Sequence, residues 1–215
     1  MDSITINSGS KISKTIHLIR HGQTDFNKKN IIQGSGVNSL LNETGVWQAQ
    51  QFYKYYNKIP YQKIYTSQLT RAIQSVHEFI AQGISHQEMP ELNEINWGIM
   101  EGKESSPERH IEYQKIVDEW SSGNLDIAIA NGETPNVLFE RQKRGLEKIM
   151  AQQDEELVLI CMHGRAMRSF LCLLTNTPLK DMEKWEHSNL CLYELEFNGN
   201  CFDVIKANDT KHLSD

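Results

Sequence analysis

Ile16-His17-Leu18-Ile19-Arg20-His21-Gly22-Gln23-Thr24 is the stretch that decides how this chain reads. The run from Ile16 to Arg20 has the length and apolar character of a buried strand, and His21 follows directly into a turn loosened by Gly22. Strand ends that open into such turns are where α/β proteins place their ligands. Glycine lets backbone N–H groups come close to an anion, and arginine grips phosphate oxygens with a planar fork. A histidine at this spot is either a further phosphate donor or a nucleophile toward phosphorus.

The same pattern returns 142 positions later (163 − 21). Leu157-Val158-Leu159-Ile160-Cys161-Met162 is the clearest buried strand in the chain, and His163-Gly164-Arg165 leaves its end into a helix that runs to Leu174. If the two strands are parallel neighbours, both histidines project from one carboxyl edge of a sheet. The helix starting near Arg165 would aim its positive end at the same place, which favours an anion. The matched contexts point to one shared site.

Working outward, strand-like and helix-like segments alternate. A helix capped by Asn42 or Thr44 runs to about Tyr56, with Val46, Ala49, Phe52 and Tyr53 on one face. Lys63–Thr66 reads as a strand and Leu69–Ala81 as a helix. A weak strand lies near Glu88–Leu92, then helices from Pro107 to Trp120 and from Thr134 to Gln153. Leu190–Phe197 and Cys201–Ala207 form a hairpin around Asn198-Gly199-Asn200. This order predicts a three-layer α/β sandwich, a mostly parallel sheet covered by helices on both faces with the hairpin toward one edge. Residues 1–14 read as a polar tail, residues 15–215 as a single domain, and residues 93–133 as a cap-like insertion over the site.

Composition narrows the function. The 215 residues carry a formal net charge of −6, and no basic stripe stands out, so nucleic acid is not the expected partner. A few local arginines can still hold phosphate inside an acidic protein. Cys161, Cys172, Cys191 and Cys201 lack paired metal-ligand spacing and read as reduced thiols. Neither a cationic-then-apolar leader nor an apolar run of bilayer length stands out, so a cytoplasmic enzyme with no membrane partner is expected.

With these residues in view, the chain resembles the histidine phosphatase superfamily, also called phosphoglycerate mutase-like. Leu18 to Asn27 is similar to its signature at nearly every position. Gln33-Gly34, Leu41-Asn42-Glu43-Thr44-Gly45 and Gln48-Ala49 match a second block, and Ser67-Gln68-Leu69-Thr70-Arg71-Ala72 a third. Leu92-Asn93-Glu94, Trp97-Gly98 and Glu101-Gly102 resemble the block that holds the acid. Gly132-Glu133-Thr134 follows in order, and His163-Gly164 with Arg168 completes the set.

The resemblance implies a phosphoglycerate mutase-like fold and roles for individual residues. His21 would be the nucleophile, forming a phosphohistidine. Arg20, Arg71 and His163 would surround the phosphoryl oxygens, and Glu94 would be the general acid and base. Asn27, Gln23, Thr24, Gly34 and Gly164 would add neutral phosphate-binding groups. No metal and no cofactor are implied.

Mutases of this type hold a glycerate with extra basic residues in the insertion, whereas here Trp120 is followed by Ser121-Ser122-Gly123. The branch expected is therefore the phosphatase one. The expected protein is a metal-independent phosphomonoester hydrolase acting on a small phosphorylated metabolite, with phosphate, sulfate or vanadate able to occupy its pocket. Mutase-type phosphoryl transfer and phosphoprotein phosphatase activity are the alternatives.

Other residues receive plainer readings. Arg168 is expected to brace the second histidine turn, and Trp97, Trp120 and Tyr113 to pack the insertion. Glu133 and Thr134 are expected to cap the helix that follows. His17, His77, His86, His187 and His212 carry no site pattern, and His110 alone could touch substrate from the insertion.

Overall fold

A computed structural model describes residues 13–214. Six strands make one sheet: β1 (Thr15–Arg20), β2 (Lys63–Thr66), β3 (His86–Glu88), β4 (Leu157–Met162), β5 (Leu192–Phe197) and β6 (Phe202–Asp209). Their order is β3-β2-β4-β1-β5-β6. The pairs β3/β2, β2/β4 and β4/β1 are parallel, while β5 runs antiparallel to β1 and β6 closes the hairpin at the edge. β1 and β4 are thus parallel neighbours at the centre of the sheet, as the two histidine–glycine turns required.

Two-residue periodicity divides the strands between two cores. Ile16 and Leu18 of β1, with Val158, Ile160 and Met162 of β4, face α6 (Pro135–Met150) and α7 (Gly164–Leu174). Ile19, Leu159 and Cys161 face the other way, onto α2 (Glu43–Tyr56), α3 (Thr70–Ser75) and α4 (His77–Ala81). The insertion is not detached from this architecture. Trp97, Met100, Val117, Trp120 and Ile129 belong to the same core as α7, and α5 (Pro107–Ser122) lies over it. Among the described residues, no helix is long and apolar enough to cross a membrane.

Several expectations need adjusting. Residues 1–12 of the expected tail fall outside the described residues, but Lys14 belongs to the fold. It is buried, and its ammonium donates to the Ile149 carbonyl at 3.1 Å and the Gln152 carbonyl at 2.8 Å. The single helix expected over Leu69–Ala81 is broken at Val76 (φ −121°, ψ 10°) into α3 and α4, with no glycine or proline to announce the break. On α2 the inward residues are Gly45, Phe52 and Tyr56, whereas Val46 is exposed. The weak strand is shorter and earlier than expected, because Pro90 opens a 3-10 turn. A four-residue helix, α1 (Asp25–Lys28), was not foreseen. The four cysteines are free.

Candidate active site

Strand register sets the floor of the site. Arg20 pairs with Met162 across the β1/β4 ladder, so His21 and His163 each stand one residue beyond a matched pair. The His21 amide donates to the Met162 carbonyl at 3.0 Å, extending the ladder into the turn. The two rings lie 5.1 Å apart, and both are buried. Gly22 is needed for packing rather than for an anion. A Cβ there would come within 2.7 Å of the Gly45 carbonyl, and its own N–H donates to Ser75 Oγ at 2.9 Å.

The two histidines are held by different means. His21 Nδ1 is 2.7 Å from the Gly22 carbonyl. A carbonyl can only accept, so Nδ1 carries the proton and Nε2 keeps its lone pair. His163 Nε2 meets Ser67 Oγ at 2.6 Å, and that oxygen also accepts from the Leu69 amide at 3.2 Å. With its oxygen already accepting, Ser67 gives its hydroxyl proton a partner only by donating to Nε2. This places the His163 proton on Nδ1, a buried atom with no partner among the described residues.

Guanidinium groups surround this pair. Arg71 is fully buried, donating from Nη1 to the Val37 carbonyl at 2.6 Å and from Nη2 to the Gly34 carbonyl at 3.2 Å, while its Nε has no partner among the described residues. Burial pulls Arg71 down to about 10, which leaves it cationic near neutrality. Burial first, then the charges of Arg71 and Arg20, holds His21 far below the usual histidine range. His163 is depressed in the same way, by burial, Arg71 and His21. Both imidazoles are therefore held in the neutral form.

Glu94 is 5% exposed and lines a pocket together with Arg20 and His21. Its Oε1 accepts from Ala166 N at 2.7 Å and from Ile95 N at 2.9 Å, and its Oε2 from Arg165 N at 3.0 Å. The N-terminus of α7, expected to face a bound anion, is instead occupied by this carboxylate. One Oε2 lone pair remains free to carry a proton. Arg141 braces the segment from α6, donating to the carbonyls of Glu91 (2.7 Å) and Glu94 (3.0 Å). Thr134 caps α6 as expected, its Oγ accepting from Val137 N at 3.3 Å. Glu133 does something else, pairing with Arg141 at 2.7 Å.

Of the expected neutral phosphate ligands, Asn27 and Gly164 line the pocket. The Asn27 carbonyl oxygen is taken by Thr24, which leaves its Nδ2 donors for the cavity. Gln23 and Thr24 are corrections, because the Gln23 amide donates to Gln48 Oε1 at 2.9 Å and the Thr24 amide to Asn27 Oδ1 at 3.1 Å. Gly34 offers its carbonyl to Arg71 at 3.2 Å, which ties its turn to the guanidinium.

Two contributors were missed. Asn189 lines the pocket and donates to the His21 carbonyl at 2.9 Å. His187 receives Arg20 Nη1 at 3.3 Å on its Nδ1, and a Cβ on Gly164 would stand 2.9 Å from its ring. Burial and three guanidiniums (Arg20, Arg168 and Arg165) push His187 down to about 3. Arg168, expected to brace the second histidine turn, instead pairs with Glu183 and lines the cavity. Trp97 stacks on Trp120 at 5.4 Å and meets Tyr113 at 5.0 Å, the packing role expected of all three. His110 reaches the cavity from α5. The cavity holds about 820 Å³, ample for a small phosphorylated molecule. Among the described residues, no group of three His, Cys, Asp or Glu is placed to hold a metal ion.

Known proteins share this arrangement of sequence and fold. Residues 16–210 match the description of the histidine phosphatase superfamily (branch 1). The uncharacterized phosphatase PhoE of Bacillus subtilis is 28% identical over 200 residues, 92% of this chain and 95% of that protein. Fructose-2,6-bisphosphatase TIGAR B of Danio rerio is 28% identical over 157 residues, 71% of this chain, and the match spans only 57% of that protein's length. The solved structure of Bacillus stearothermophilus YhfR matches with a TM-score of 0.81 at 26% identity, covering 94% of this chain and 100% of its own. The chain belongs to the histidine phosphatase superfamily, branch 1, and is an enzyme of the phosphatase kind.

Proposed function

We propose that the protein is a metal-independent phosphomonoester hydrolase that works through a phosphohistidine on His21. The observation that carries this reading is the pair of neutral imidazoles 5.1 Å apart, one with a free Nε2 lone pair and the other with an unpartnered Nδ1–H, flanked by Arg20 and Arg71. In the first step His21 Nε2 attacks phosphorus and the P–O ester bond breaks. The leaving alkoxide takes the proton from Glu94 Oε2. In the second step water gives a proton back to Glu94 and attacks phosphorus, and the P–N bond breaks with its electrons returning to Nε2. Arg20, Arg71 and His163 face the developing charge on the phosphoryl oxygens, with Asn27 Nδ2 and Gly164 beside them. Phosphoryl transfer depends mainly on such positioning and electrostatics. Two guanidiniums supply the neutralisation that a metal would otherwise provide.

The substrate is a small phosphorylated metabolite, residues 93–133 act as a cap within a single domain, and the setting is cytoplasmic, which suits four free thiols. The test is phosphate release from a panel of phosphorylated metabolites in the presence of a chelator. Acid-labile, base-stable phosphate should be trapped on the protein and should vanish in His21→Ala. Loss of activity with chelator that added metal restores would overturn the metal-independent mechanism. Isomerisation of a phosphoglycerate faster than phosphate release would replace hydrolysis by mutase-type transfer.

A further inference from the structure

Besides the groups around His21, the pocket is lined by a second cationic feature that the proposed phosphoryl transfer does not use. Arg165 and Arg168 sit three residues apart on α7, on one face of the helix. Both donate to one carboxylate, Arg165 to Glu183 Oε1 and Arg168 to Glu183 Oε2. Arg165 is only 7% exposed. It also donates to Tyr113 Oη at 2.8 Å and lies over the rings of Trp97 (5.8 Å) and Trp120 (5.4 Å). The Arg168 Nε is buried without a partner among the described residues. Two guanidiniums on one carboxylate leave one positive charge in excess. The neighbouring His187, held neutral by burial and Arg20, adds no further charge to it.

An excess buried charge is costly unless a ligand answers it. Arg20 and Arg71 already match a phosphoryl group, so the surplus faces a different part of the substrate. Glu183 shows what fits: a planar carboxylate bridging the pair with one oxygen to each arginine. A ligand carboxylate taking the place of Glu183 keeps both the charge and the planar two-oxygen geometry that the pair already accepts, which a tetrahedral phosphate does not reproduce. Glu183 is able to yield its place. Its side chain is 34% exposed, and it is carried on the 3-10 segment Leu179–Lys184, kinked at Asp181.

We propose that Arg165 and Arg168 form a carboxylate subsite, with Glu183 as its resident placeholder, so that the preferred substrate is a small phosphomonoester bearing a carboxylate. This rests on the hydrolase reading, but it can fail separately. The insertion carries Ser121-Ser122-Gly123 after Trp120 where basic residues were expected of a mutase; Arg165 and Arg168 stand instead on the helix that follows the second histidine.

The test uses phosphonocarboxylates of two to four carbons against alkylphosphonates of the same lengths, with affinities measured by calorimetry. The matching phosphate esters are used for kcat/KM. The carboxylate should improve both quantities about tenfold or more at the best chain length, the scale of one or two charge-assisted hydrogen bonds. Arg165→Gln and, independently, Arg168→Gln should collapse that ratio. Glu183→Gln should enlarge it mainly through a lower KM, an outcome that a merely structural ion pair would not give. Equal affinities for the two phosphonate series, preference for a bisphosphonate, or a Glu183→Gln ratio unchanged or reduced would each overturn the subsite. A retained binding preference with no phosphate released from any ester would overturn the hydrolase reading and leave the subsite standing.

Discussion

The two histidine turns carry almost the same sequence pattern, yet the structure holds them in opposite ways. His21 is fixed by its own neighbour, since the Gly22 carbonyl takes the Nδ1 proton and frees Nε2. His163 is fixed from 96 residues away, by a serine at the end of β2, and its free position is Nδ1. One imidazole therefore presents a lone pair and the other a proton. Similar strand-to-turn motifs specify where a ring goes, and the partner of the second nitrogen specifies what it can do there.

The most damaging way to test this contrast is to remove each ring in turn. His21→Ala should lower kcat by at least about 10⁴-fold, because the covalent route is lost altogether. His163→Ala removes one charge-stabilising donor and should cost about 10²–10³-fold, with some acid-labile phosphate still trapped on His21. Equal losses from the two variants would erase the distinction between nucleophile and donor. Steady-state and single-turnover kinetics with one aryl phosphate separate the outcomes.

Glu94 sharpens the contrast, because in the proposed mechanism it serves the leaving group rather than the phosphoryl oxygens. Glu94→Gln should slow alkyl phosphates about a hundredfold and aryl phosphates much less, since aryl leaving groups need little protonation. Uniform slowing across the series would move the acid elsewhere.

A smaller effect tests the long-range half of the comparison. Ser67→Ala removes the proposed donor to His163 Nε2 and should lower kcat about tenfold, in line with the loss of one buried hydrogen bond. Nitrogen NMR of His163 supplies the readout that simple loss of packing would not move. The proton should sit on Nδ1 in the wild type and become mixed between Nδ1 and Nε2 in the variant. A wild type already protonated on Nε2 would reverse the role assigned to Ser67.

Legibility in the sequence followed the same divide between local and distant partners. β1, β4 and the turns behind them were readable because apolar runs end at a histidine and a glycine in both places. The β1/β4 adjacency then followed from parallel-sheet logic. The tautomer of His163 was not readable, because Ser67 lies in another block and only the register Thr66↔Cys161 brings it close. His187 and Asn189 sit in a loop with no periodicity and enter the pocket only when the chain returns to form β5. The turn residues Gln23 and Thr24 looked like anion donors for a good general reason, but side chains of Gln48 and Asn27 had already claimed their amides. The break at Val76 carried no local signal, and the Arg165–Arg168 pair gains its meaning only from Glu183, which a separate 3-10 segment brings to it.

The gentlest probe treats both turns together, through the dependence of stability on pH. His17, His21, His86, His163, His187 and His212 all have their affinity for protons lowered by folding, with burial the leading cause in each. Below about 6.5 the unfolded chain binds protons that the native chain refuses, so stability must fall as pH falls. This contribution is fully present above that pH and is lost on descent toward the native values; for His187 the window extends down to about 3. Glu101, raised by burial, acts in the opposite sense, but it is one group against six. Melting temperature should therefore drop steadily from pH 7 to pH 5, a range in which ordinary carboxylates change little. Replacing His163 with Asn should make that slope shallower, because a group that cannot titrate no longer contributes to the difference. A melting temperature that rises on acidification across this range would mean that these imidazoles are protonated in the folded protein, and neither turn could then act as described.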